Sequence, residues 1–164
     1  TLLPMWKDLL DTGLITRRLF KPMLNTPAYR LKEGGDEGCR LVDAVPGSFF
    51  MLKPGLLTPQ DIEGLFDSRI FLYYEEKVLG RKFQEMGLKT VLVTDESYVH
   101  AHSATIDKSL KRMVDKQRLL HQSKLYYYRE YLHAGPALMA AAGVALDIIL
   151  AEVWFLTVVC RMRW

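Results

Sequence analysis

Apolar positions in the first twenty residues fall at helical spacing: Trp6, Leu9, Leu10, Leu14 and Ile15 recur three and four apart, and Gly13 interrupts them. That pattern predicts a short helix with a break over residues 5 to 20. A polar, glycine-bearing loop over residues 32 to 38 follows. From Arg40 to Lys53 the pattern changes to β-branched and aromatic residues and ends at Pro54-Gly55, which predicts a strand and a turn. Thr58-Pro59-Gln60-Asp61 is a helix start, with Thr58 as N-cap, Pro59 at the first helical position and Asp61 completing the capping box, good for one or two turns up to Gly64.

Val78, Leu79, Phe83 and Met86 lie roughly on one face, with Gly87 as the stop, so residues 74 to 86 form a helix entered by Glu75 and Glu76. Thr90 to Val93 reads as a buried strand, and Tyr98 to His102 as a short extended stretch. Asp107, Leu110, Met113, Val114, Gln117, Leu120, His121, Leu125, Tyr128 and Leu132 then predict one amphipathic helix over residues 106 to 133. Its Lys108, Lys111, Arg112, Lys116, Arg118 and Lys124 form a basic polar face, ordinarily a solvated one, with anionic lipid headgroups or a phosphate-bearing acceptor as the alternative. His121 and His133 read as helix-surface or interface residues. The cluster Tyr126-Tyr127-Tyr128-Arg129-Glu130-Tyr131 suits a membrane or protein interface, and core packing accounts equally well for half of its rings.

Pro136 restarts a helix, and residues 137 to 160 are nearly all apolar apart from Asp147, Glu152 and Thr157. The run exceeds the roughly 20 residues that cross a bilayer, but each acid in mid-span costs about 2.5–3.5 kcal/mol on insertion scales. A helix lying on or dipping into the cytosolic leaflet is therefore the expectation, with Arg161, Arg163 and Trp164 at the headgroups; a partner-helix interface and a true span are the alternatives.

Composition adds limits. A chain of 164 residues with 49% hydrophobic and 25% charged residues suits one globular domain with a helical tail. A net charge of +3 and a pI near 8.8, with basic residues scattered among acids, argue against nucleic acid as a partner. Cys39 and Cys160 lie far apart outside any zinc or CxxC spacing and read as free thiols. The start, Thr1-Leu2-Leu3-Pro4-Met5, has neither an initiator Met nor a signal-like pattern, so a cytoplasmic location and a beginning cut from a longer protein are expected.

The chemistry concentrates between Phe66 and Ser103, where Glu75 and Glu76 precede His100 and His102. Carboxylates and imidazoles gathered in this way hold a divalent cation or move a proton. Each piece also has a plainer reading: acids suit the positive end of a helix dipole, and an isolated His-x-His is more often structural or solvated. Their succession is more specific. Val42-Asp43-Ala44-Val45-Pro46-Gly47-Ser48-Phe49-Phe50-Met51-Leu52 is followed by Phe66-Asp67-Ser68-Arg69-Ile70-Phe71-Leu72-Tyr73-Tyr74-Glu75-Glu76, a helix ending near a glycine, a valine-rich strand and a histidine. From about Leu41 to Ser109 this order resembles the second half of family 2 glycosyltransferases, particularly those that build bacterial surface polysaccharides by rhamnosyl or galactofuranosyl transfer.

The resemblance implies an α/β fold, the C-terminal, acceptor-side portion of a GT-A (nucleotide-diphospho-sugar transferase) domain over residues 1–105, followed by a helical region of two long helices over 106–164. It implies inverting transfer from a nucleotide-sugar donor to a saccharide acceptor, lipid-linked and at the inner face of the cell membrane. The family's general base maps onto Glu76, with Glu75 orienting the acceptor or supporting Glu76. Its metal-ligating histidine maps onto His100, with His102 as substitute, for Mn²⁺ or Mg²⁺. Asp43, Gly47 and Ser48 fall where its acceptor-side strand passes the site. The family's nucleotide-binding half, with its Asp-x-Asp, has no counterpart in these 164 residues. The isolated chain is therefore expected to be inactive, and a non-catalytic remnant or membrane-associated scaffold is the alternative function.

Overall fold

The computed structural model describes residues 2–24, 38–70, 72–99 and 112–162. The chain is mixed, with helices outweighing a small two-stranded sheet. It divides into two compact units: Thr1–Leu2 with Pro27–His100, and Leu3–Thr26 with Ala101–Trp164. The opening helices thus belong with the C-terminal ones, so the units do not follow the order of the chain.

In the first unit, β1 (Cys39–Val42) pairs antiparallel with β2 (Thr90–Val93), Cys39 opposite Val93 and Val42 opposite Thr90. The strand expected over residues 40 to 53 is confined to its first part, because β2 offers only four partners and the chain turns at Pro46 to Ser48. Burial along β2 alternates, with Val91 and Val93 about half exposed and Thr90 and Leu92 partly covered, so the strand is not the buried one expected. Thr58 caps α4 (Pro59–Glu63) by the expected capping box with Asp61.

The helix α5 (Glu75–Glu85) ends as its glycine predicts: Gly87 takes φ +71°, its N–H bonds Gln84 O, and the Leu88 N–H bonds Phe83 O at 2.8 Å. The core of this unit is Leu65, Ile70, Tyr74, Val78 and Leu79. Gly80 lets β1's exit cross α5 closely, since a Cβ there would stand 2.4 Å from Asp43 O and 2.9 Å from Ala44 Cβ.

In the second unit the opening segment forms α1 (Met5–Leu10), α2 (Leu14–Leu19) and α3 (Lys21–Leu24), broken at Gly13 as its pattern indicates. Two long helices follow, α6 (Met113–Glu130) and α7 (Pro136–Trp154), the latter continuing as a π-helical turn over Phe155–Val159. Ala142, Leu146, Ile149 and Val153 form α7's buried stripe, four, three and four residues apart. Gly13 is closely approached by side chains, since a Cβ would meet Thr16 Oγ1 at 2.4 Å and Glu152 Oε2 at 3.2 Å and the Thr16 hydroxyl would have to turn away. The Glu152 carboxylate accepts from Ile15 N–H at 2.7 Å and so caps α2, an acid of the long apolar helix used within the protein.

Two expectations for α6 are corrected. Lys124 does not belong to a solvated basic face: its side chain is 4% exposed and lies 3.4 Å from Asp8 Oδ2, while its Nζ donates to Asp8 O at 2.6 Å and to Thr12 Oγ1. His121 is buried, and its Nε2 lies 2.9 Å from Gln117 Nε2. Position along the helix explains both, since Gln117, His121, Lys124 and Tyr128 share one stripe and that stripe faces inward. Of the tyrosine cluster, Tyr127 and Tyr128 are buried, and Tyr128 Oη donates to Asp8 Oδ2 at 2.7 Å.

Candidate functional site

The local backbone ahead of α5 sets the glutamate pair. Tyr73 and Tyr74 take φ of +64° and +70°, a left-handed conformation that costs a non-glycine residue on the order of 1–3 kcal/mol. Burial of Tyr74 in the core, with Lys77 Nζ 4.1 Å from its ring centroid, holds that turn in place. Tyr74 is the N-cap residue and supplies no side-chain cap, so Glu75 and Glu76 open the helix at its positive end.

Beside them lies a pocket of about 270 Å³ lined by Leu65, Phe66, Asp67, Ser68, Ile70, Glu75 and Val78. Asp67 is engaged within its own turn: Oδ1 accepts from Arg69 N–H and Nε, both at 3.0 Å, and Oδ2 from Nη2 at 3.1 Å. Glu75 is the other acid of the wall. Burial raises its carboxyl above the ordinary glutamate value, the like charge of Glu76 adds to the rise, and a hydrogen bond from its own backbone N–H opposes it. The turn Phe66 to Ile70 closes on itself through Ile70 N–H to Asp67 O at 3.1 Å.

The other expected residues are not gathered here. Asp43 accepts from Leu2 N–H at 3.3 Å and from Gln84 Nε2 at 3.1 Å, and Gln84 stands nine positions along α5 from Glu75, about 13 Å of helix axis. Its carboxylate therefore ties β1's exit to the far end of α5. Ser48 Oγ is hydrogen-bonded to Tyr98 Oη, and the Phe49 and Tyr98 rings lie 5.6 Å apart. Gly47 is exposed, and a Cβ there would meet nothing within 4 Å, so packing does not demand its glycine. His100 and His102 lie outside the described residues. Among the described residues no three His, Cys, Asp or Glu side chains are grouped to hold a metal ion.

The pocket itself was missed by reasoning from the sequence, although its front edge, Phe66 to Ile70, was inside the motif that drew attention to Glu75. Its lining falls within residues 65 to 78, but the turn that brings Leu65 and Ile70 against Val78 has no periodicity to announce it. No family model, curated protein or solved structure matches the chain.

Proposed function

We propose that this chain is the acceptor-side part of an inverting GT-A type glycosyltransferase, carrying a sugar from a nucleotide-sugar donor to a saccharide acceptor, lipid-linked, in cell-surface polysaccharide synthesis. The observation that carries the reading is the carboxylate pair Glu75 and Glu76 at the start of α5, one of them in the wall of a pocket. Its place in the succession from Val42 to Val93 is what the family resemblance requires.

In such a transfer the acceptor hydroxyl loses its proton to a carboxylate as its oxygen attacks the anomeric carbon, and the bond from that carbon to the diphosphate oxygen breaks with its electron pair leaving on the diphosphate. The chain's own contribution is to seat the acceptor and take the proton. A resident Mn²⁺ or Mg²⁺ would supply charge stabilisation for the departing diphosphate. The described residues offer no grouped ligand set for one.

A membrane-facing role belongs to the same proposal. The helical run Pro136–Val159 has a mean hydropathy of 2.0 and is only 22% buried over its most apolar stretch, with Val144, Ile148 and Phe155 each more than half exposed. Glu152, engaged with α2, does not stand against a cytosolic leaflet meeting that face.

The product of the complete reading frame, given a panel of nucleotide sugars and lipid-linked acceptors, transfers one of them. Glu75→Gln/Glu76→Gln lowers the rate about 10²–10⁴-fold, the scale of a lost general base. Unchanged transfer in the double variant removes the pair from the mechanism. No transfer from any donor, with a folded protein, favours the non-catalytic scaffold.

A further inference from the structure

Resting on the membrane-facing part of that reading and not on its transfer chemistry, we propose that the opening helices α2 and α3 are an interfacial anchor. They lay Ile15, Leu19 and Met23 into an anionic lipid leaflet that also meets the exposed face of α7.

The opening segment carries an uncovered apolar stripe. Ile15, Leu19 and Met23 recur four apart and are 52%, 71% and 52% exposed, whereas Thr16, Phe20 and Leu24, each one position further on, are partly covered. Single apolar residues at a surface are ordinary, but three in register along consecutive helices make a continuous ridge. In α1, Trp6 is also half exposed, with Lys7 Nζ 5.4 Å from its ring centroid. An indole beside a cation suits the depth of lipid headgroups.

A second stripe runs along α7 and its π-helical turn. Val144, Ile148, Ala151, Phe155 and Val158 are exposed on the side opposite the buried Ala142, Leu146, Ile149 and Val153. Asp147 is exposed too, and it stands about 100° around the helix from Ile148, at the margin of the stripe. Both stripes belong to one compact unit. The bond from Ile15 N–H to Glu152 and the approach of Gly13 to Ile149, where a Cβ would come within 3.3 Å of Cγ1, fix the start of α2 against the C-terminal turns of α7. Trp154 is half exposed in those same turns.

Charge selects the occupant. From Leu3 to Thr26 the chain carries Lys7, Arg17, Arg18 and Lys21 against Asp8 and Asp11. Lys124 compensates Asp8 in the interior, and Arg17 Nε lies 3.0 Å from Asp11, so the surplus at this surface is positive. Arg161, exposed beyond the end of α7, adds to it. An apolar ridge on a basic helix is the pattern of a segment lying in the headgroup layer of an anionic leaflet. A second copy docked by a two-fold axis would instead bring this basic surface against itself.

The test is flotation of the intact chain with vesicles of phosphatidylcholine alone and of phosphatidylcholine mixed with phosphatidylglycerol. The chain is expected to prefer the mixed vesicles. Lys21→Gln should weaken that binding about fivefold and leave binding to neutral vesicles unchanged. Leu19→Glu/Met23→Glu, at exposed positions that the fold does not need, should weaken it more than about tenfold. Trp154→Phe/Trp164→Phe leaves Trp6 as the sole indole, and brominated acyl chains should quench its fluorescence. Binding spared by Leu19→Glu/Met23→Glu but abolished by Val144→Glu/Ile148→Glu, with Trp6 unquenched, overturns the anchor and leaves the membrane-facing role of α7 standing. A chain that ignores both kinds of vesicle and sediments as a dimer, dissociated by Leu19→Glu/Met23→Glu, assigns the stripe to a second copy and overturns the membrane reading with it.

Discussion

The two units handle buried ionisable groups in opposite ways. In the helical unit, Asp8 and Lys124 are 5% and 3% exposed, and Tyr128, Thr12 and backbone carbonyls complete their hydrogen bonds. In the strand-bearing unit, Glu75 is half-buried beside a like charge in a pocket wall, and burial outweighs the hydrogen bond from its own backbone N–H, so its carboxyl is raised. A charge that is buried and paired organises packing, whereas a carboxylate held away from water next to another carboxylate is poised to take a proton. That contrast is what sets the proposed site apart from the paired charges of the helical unit.

Among the described residues, the strand-bearing unit has two paired strands of four residues and five buried apolar side chains.

The sharpest way to break the comparison is to remove one partner of the paired charges. Lys124→Met leaves Asp8 buried without its cation and is expected to cost about 3–5 kcal/mol, read as a fall in Tm with hydrogen-exchange protection lost first in α1 and α6. A loss below about 1 kcal/mol would mean that Asp8 reaches water.

Acid titration gives the next effect. Burial first, then the charge of Lys124, lowers His121 to about 4, while Asp147 pulls the other way. The folded state therefore holds His121 neutral: its contribution is fully present above about 6.5 and is lost as pH falls toward 4, up to about 3 kcal/mol. His121→Gln, a neutral replacement, should flatten that part of the pH–stability curve for the helical unit. A slope unchanged by the substitution assigns the acid lability elsewhere.

Gly80→Ala probes the other unit. With its Cβ only 2.4 Å from Asp43 O, backbone has to move, and about 1–3 kcal/mol is expected to be lost. Hydrogen exchange should show the loss in α5 and β1, with α6 and α7 unaffected; equal loss throughout would make the two units one cooperative body.

What could be read from the sequence follows the same division. Local signals were sufficient for the capping box at Thr58, the stop at Gly87, the break at Gly13 and the restart at Pro136, because each depends on a few adjacent residues. The buried polar network was not legible, since Lys124, read with Lys108, Lys111, Arg112, Lys116 and Arg118 as one basic face, looks solvated until Asp8, more than a hundred residues earlier, is packed against it. The strand beyond Val42 was overread for a related reason: β-branched and aromatic residues favour strands only where partners exist, and β2 provides four. In the candidate site, the pair Glu75 and Glu76 was visible as a motif, but which of them faces a pocket depends on the left-handed turn at Tyr73 and Tyr74, and no residue type announces that turn.

The smallest effect is also the most direct. Carboxyl carbon NMR titration of the glutamates in the intact chain is expected to place Glu75 above the ordinary glutamate value of 4.5 and to bring it down in Glu76→Gln, which removes the neighbouring charge. Because a raised carboxyl disfavours the charged form in the folded protein, stability attributable to Glu75 declines as pH rises through 4.5 toward its folded value, so Glu75→Gln should stabilise slightly at pH 7 and not at pH 4. A Glu75 carboxyl that titrates at or below 4.5, unmoved by Glu76→Gln, would mean that it is solvated or satisfied like the charges of the other unit, and the contrast on which the site was identified would be gone.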